Sequence, residues 1–120
     1  MSTNIHTTAI IHPKADIAEG VYIGPYAVIG EHVKIGSGTK VGPHAVVEGW
    51  TEIGKDCDLG PSVVIGSPPQ DIHYKGQRAF VRIGNNNIFR EFVTVHRASK
   101  EDGHTTIGDG NFIMAYSHIA

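Results

Sequence analysis

A single cysteine in 120 residues, Cys57, has no partner for an intrachain disulfide, so no disulfide framework staples this chain. Charge of one sign is also lacking. Ten Lys and Arg stand against twelve Asp and Glu, for a formal net charge of −2, and the basic residues are scattered. That balance gives no electrostatic case for binding nucleic acid. No apolar run approaches the ~20 residues of a membrane span. Met1 to Thr8 lacks a basic region followed by an apolar stretch, as a secretory leader would need. Nothing reads as a linker between two domains. Together these absences predict one domain over residues 1–120, in the cytoplasm, with no membrane insertion.

What the chain has instead is a beat of six. Ile5, Ile11, Ile17, Ile23, Ile29, Ile35, Val41, Val47, Ile53, Leu59 and Ile65 follow one another at every sixth position without a miss. Two residues before them stand Ala9, Ala15, Val21, Ala27, Val33, Thr39, Ala45, Thr51, Cys57 and Val63, all small or β-branched. Residues two apart on a strand share a face, so each hexad offers one small and one large inward side chain. Glycine often follows the aliphatic residue, as at Gly24, Gly30, Gly36, Gly42, Gly54, Gly60 and Gly66, and is expected to supply positive φ at a corner. Each hexad is then a short strand plus a bend. Three of them close a triangular coil of about eighteen residues, stacked on its neighbours at roughly 4.8 Å as a parallel β-helix. Cys57, at a small inward position, reads as a buried structural thiol.

Tandem hexads of this kind resemble the hexapeptide-repeat superfamily. The resemblance implies a left-handed prism and a homotrimer.

The beat fails twice. After Ile65-Gly66 the phase falls on Asp71 and Gln77, within a stretch whose prolines and charges forbid a ladder strand. It returns at Ile83, Phe89 and Val95, skips position 101, and resumes at Ile107, Ile113 and Ile119. Two loops are predicted to leave the prism at about residues 67–80 and 98–105. Lys75, Arg78 and Arg82 are placed on the first loop and read as solvated charge.

Eight histidines raise the question of acid–base or metal chemistry. His6, His12, His32, His44 and His104 fall at a terminus, on outward or corner positions, or in the second loop. His73, His96 and His118 lie in or after the interruptions, where polar groups can converge. The loop Gln70-Asp71-Ile72-His73-Tyr74-Lys75-Gly76, the segment Val93-Thr94-Val95-His96-Arg97 and the run Asn111 to Ala120 resemble the acyl-[acyl-carrier-protein]–UDP-N-acetylglucosamine O-acyltransferases.

That resemblance implies transfer of a 3-hydroxyacyl group from acyl carrier protein to the sugar 3-hydroxyl of UDP-N-acetylglucosamine, the opening step of lipid A synthesis. Such a reaction needs a general base and donors for an oxyanion, but no metal, cofactor or covalent intermediate. By the same resemblance Asp71 contacts the sugar, Gln70 holds the acyl or sugar end, and His96 and His118 line the site. His73 stands where the family usually has Lys. The catalytic histidine of the family would directly follow Ala120. The chain is therefore read as the N-terminal part of such an enzyme, without catalytic activity of its own. Alternatives are a non-catalytic trimerising solenoid, another hexapeptide acyltransferase, or a carbonic anhydrase whose zinc would take His96, His118 and a third histidine.

Overall fold

The computed structural model describes residues 3–120. Among these residues, seventeen strands of two to four residues form three wholly parallel sheets, with no helix. Accordingly no helix among them is long and apolar enough to cross a membrane. Each coil contributes one strand to each sheet in turn. The first sheet begins with Asn4–Ile5, the second with Ile10–Ile11 and the third with Asp16–Ile17. Register follows the beat, with Ile23 on Val41, Val41 on Leu59, Leu59 on Phe89 and Phe89 on Ile113. Large residues stack on large ones down the axis, and the aliphatic positions from Ile23 to Ile65 are all buried. Ile5, on a coil with only one neighbour, remains 44% exposed.

The glycines after the aliphatic residues act differently from expectation. Of the seven, only Gly66 has positive φ, at 92°. Gly36, Gly42 and Gly54 are needed because stacked backbones approach closely: a Cβ on Gly36 would lie 2.7 Å from the carbonyl carbon of Gly54 in the next coil. The left-handed residue comes two positions later, at Gly20, Tyr26, Gly38, His44, Asp56, Ser62, Asn86, Phe92, Gly110 and Tyr116. Tyr26 stacks on His44, and Phe92 on Tyr116, along one edge of the prism.

The small inward column of the first sheet turns polar after Val21. Thr39 Oγ1 donates to the Gly54 carbonyl at 2.8 Å and accepts from the Cys57 amide at 3.1 Å. The Cys57 thiol reaches the Gly84 carbonyl at 3.2 Å, and burial pushes its pKa up. Asn87, fully buried, donates to the Gly108 carbonyl and accepts from the Asn111 amide, both within 2.8 Å. Each side chain satisfies backbone groups at a corner, where the strand ladder cannot.

Both predicted loops are shorter than expected. Ser67 and Phe80 belong to the strands Val64–Ser67 and Phe80–Ile83, while His104 and Thr105 open the strand His104–Ile107. Arg82 is consequently a strand residue, not a loop residue. Thr105 packs inward opposite Val81, and that burial restarts the ladder despite the polar sequence. Stacked strands normally step eighteen residues, as from Val28 to Val46. The step is thirty across the first loop, from Val64 to Thr94, and twenty-four across the second, from Thr94 to His118. The insertions amount to twelve and six residues, whole hexads in both cases, which is why the phase survives them.

Candidate functional site

The two loops leave neighbouring coils at the same corner of the prism and enclose a cleft of about 750 Å³. Its volume falls within the range of small-molecule sites. One wall carries Pro69, Gln70 and Asp71, the other Ala98, Ser99 and Lys100, and His118 to Ala120 close one end. Gln70 and Asp71 thus face one space with His118, more than forty residues further along the sequence.

His96 and His118 sit together at the end of the second sheet. Their ring centroids are 4.9 Å apart with planes at 66°, an edge-to-face contact. His118 is directly above Thr94 rather than above His96, and its Nδ1 lies 3.0 Å from the Thr94 hydroxyl. His96 is buried, with its Nδ1 2.8 Å from the Pro68 carbonyl. A carbonyl only accepts, so Nδ1 carries the hydrogen, and in the neutral ring Nε2 is left as the acceptor. His96 therefore fastens the start of the first loop and supports His118 from behind, without itself lining the cleft.

Within the loop, Asp71 Oδ1 accepts from the His73 amide at 2.9 Å, while the Asp71 carbonyl accepts from the Tyr74 amide at 3.0 Å. Asp71 thereby shapes the turn that presents it. Gln70 projects from the residue before. The His73 side chain is exposed and is not part of the cleft wall, so the turn brings Asp71 into the site and leaves His73 outside.

Sequence reasoning gave no role to Thr94, Arg97 or Lys100. Arg97 and Lys100 add two cations to walls that otherwise hold one carboxylate, Asp71. Lys100 makes no ion pair among the described residues, whereas Arg78 pairs with Asp102 across the loops at 2.8 Å. The signal for Thr94 was available, because a six-residue insertion places it in register with His118. Among the described residues no three His, Cys, Asp or Glu side chains converge as a metal site requires, and His96 and His118 have no third such group beside them.

Comparison with known proteins follows the same architecture. Residues 32–67 match the Bacterial transferase hexapeptide (six repeats) family. Over 97% of its length the chain is 61% identical to the acyl-[acyl-carrier-protein]–UDP-N-acetylglucosamine O-acyltransferase of Thermodesulfovibrio yellowstonii, of which it covers 45%. The structure of LpxA from Acinetobacter baumannii superposes with a TM-score of 0.93 and 45% identity, covering 97% of this chain and 45% of that one. The UDP-N-acetylglucosamine acyltransferase of Francisella novicida gives a TM-score of 0.93 at 42% identity, covering 97% and 43%. The chain thus spans about 45% of the length of the relatives it matches. Superposition distinguishes a coil from its mirror image, so the chain shares their hand, and the left-handed hexapeptide-repeat solenoid expected from the sequence is its fold.

Proposed function

We propose that this member of the acyl-[acyl-carrier-protein]–UDP-N-acetylglucosamine O-acyltransferase family carries the sugar-nucleotide cleft of that reaction. The observation that carries the reading is the convergence of Gln70, Asp71 and His118 on one cleft, with His96 behind them. Asp71 accepts a hydrogen bond from a sugar hydroxyl. Gln70, which both donates and accepts, holds the acyl or sugar end, and His118 orients the glucosamine. Lys100 faces the diphosphate. In the transfer the sugar 3-hydroxyl oxygen attacks the thioester carbonyl of 3-hydroxyacyl carrier protein. A base takes the hydroxyl proton, the C–S bond breaks, and the carrier thiolate leaves to be reprotonated. The resemblance puts that base immediately after Ala120, beside the residues that bind and orient. On this reading the reaction takes place in the cytoplasm and its product enters lipid A synthesis.

One outward column of the third sheet is mostly charged, at Asp16, Lys34, Glu52 and Arg82, but the second sheet presents Ile10, Val28, Val46 and Val64 in one stripe that ends at Thr94 and His118. Ile10 is 66% exposed. A continuous outward apolar stripe suits another copy of the chain, and supports a homotrimer with the cleft at its seam.

The test is acyl transfer from 3-hydroxyacyl carrier protein to UDP-N-acetylglucosamine, followed by mass spectrometry. Two polypeptides are compared: the 120 residues, and the same chain continued by the segment that follows in its relatives. Turnover by the longer form alone is expected. Turnover by the 120 residues refutes the placement of the base, and none by the longer form refutes the function.

A further inference from the structure

The first loop lacks a core of its own. Between Pro68 and Ala79 only Ala79 is buried, and Ile72 is 95% exposed. Beyond the turn that Asp71 shapes, its placement comes from ties to the prism. The principal tie is Arg97, the residue after His96. Arg97 Nε donates to the Tyr74 hydroxyl at 2.9 Å, and a second guanidinium nitrogen donates to the Gly66 carbonyl at 2.8 Å. The same guanidinium lies between two rings, 5.4 Å from the centroid of Trp50 and 5.5 Å from that of Tyr74. Gly49 leaves room for it, since a Cβ there would stand 2.6 Å from the nitrogen that binds Gly66. Tyr74 passes the connection on by donating to the Gln77 carbonyl at 2.6 Å, and Gln77 donates through Nε2 to the Ser99 carbonyl of the second loop at 2.6 Å.

We propose that Arg97 is a positioning residue that locks the Gln70-Asp71 turn in its binding shape; this rests on the reading that the turn contacts the sugar nucleotide. Two consecutive side chains at one strand end grip the loop on either side of that turn. His96 holds Pro68 before it, and Arg97 holds Tyr74 after it. With both ends fixed, Asp71 is delivered to the cleft without paying the ordering entropy at the moment of binding. The role needs arginine. A lysine would keep the charge but lose the two-nitrogen fork and the flat face that fits between two rings.

The experiment uses Arg97→Lys and Tyr74→Phe in the 120-residue protein, with amide hydrogen exchange and titration by UDP-N-acetylglucosamine. In Arg97→Lys the amides of His73, Tyr74 and Lys75 are expected to exchange about tenfold faster, those of Val47 and Ile65 to stay unchanged, and affinity to fall about tenfold. Tyr74→Phe is expected to shift both in the same direction, and the double variant to do no more than Arg97→Lys alone. Unchanged loop exchange, or an equal rise in the core, overturns the lock. A loosened loop with undiminished affinity overturns the positioning role. Faster loop exchange in a protein whose wild type does not bind the sugar nucleotide leaves the lock standing and rejects the substrate reading instead.

Discussion

Thr39→Val separates two explanations of the inward small column. If the column required only small volume and a β-branch, valine would fit at least as well as threonine. The structure instead gives the hydroxyl two bonds in a fully buried position, one to the Gly54 carbonyl and one from the Cys57 amide. Valine leaves both backbone groups unpaired at about 1.5 kcal/mol each, against a gain of about 0.8 kcal/mol for the added methyl. The net loss is about 2 kcal/mol, roughly thirtyfold in the folding equilibrium. Thr39→Ser keeps the bonds and gives up one methyl, at about 1 kcal/mol. Urea unfolding, followed by circular dichroism and by the fluorescence of Trp50, gives both values if the two signals coincide. Valine should be the less stable variant. A Thr39→Val protein as stable as wild type, or more stable than Thr39→Ser, would refute the hydrogen-bonded column.

Other consequences are equally direct. Val46→Lys puts a charge in the middle of the outward apolar stripe and should convert a trimer to monomers in sedimentation equilibrium, with the circular dichroism spectrum retained. Asp71→Asn keeps the acceptor that shapes the turn but removes the charge, and should weaken UDP-N-acetylglucosamine binding by about 1.5–3 kcal/mol in calorimetry; unchanged affinity would take Asp71 out of the site. Cys57 should resist alkylation until the prism unfolds. Burial raises its pKa in the folded state, so the unfolded chain ionises first. The stability this contributes is complete below the ordinary thiol pKa of about 8.5 and is lost as pH rises through the raised folded value. Unfolding free energies of wild type and Cys57→Ala, compared from neutral to alkaline pH, should show that loss only in wild type.

The prism was legible because its code is local. An aliphatic residue every six positions, with a small residue two before, specifies face and register together, and stacking then follows from like on like. The glycines were legible as necessary but not for the right reason: Gly36 is required by the approach of Gly54, a contact between residues eighteen apart that no single hexad displays. Asn87 escaped notice because an amide is neither small nor apolar, and its suitability depends on a carbonyl at Gly108 that the sequence alone does not place opposite it. In the site, Gln70, Asp71 and His118 were identified through the interruptions and the resemblance. Arg97 was visible in the same segment, but its role depends on Trp50, in a regular strand, and on Tyr74, in the first insertion, and no local pattern places either beside it.

The proposed binding surface lies at the interruptions of the repeat rather than on the regular faces of the prism. Mapping amide chemical shifts while UDP-N-acetylglucosamine is added tests it most directly. Shifts are expected at Gln70, Asp71, Ser99, Lys100 and His118, with the coils below Val47 silent. Shifts confined to the smaller groove of Lys34, Trp50 and Arg82 on the third sheet, or none in the two loops, would overturn it.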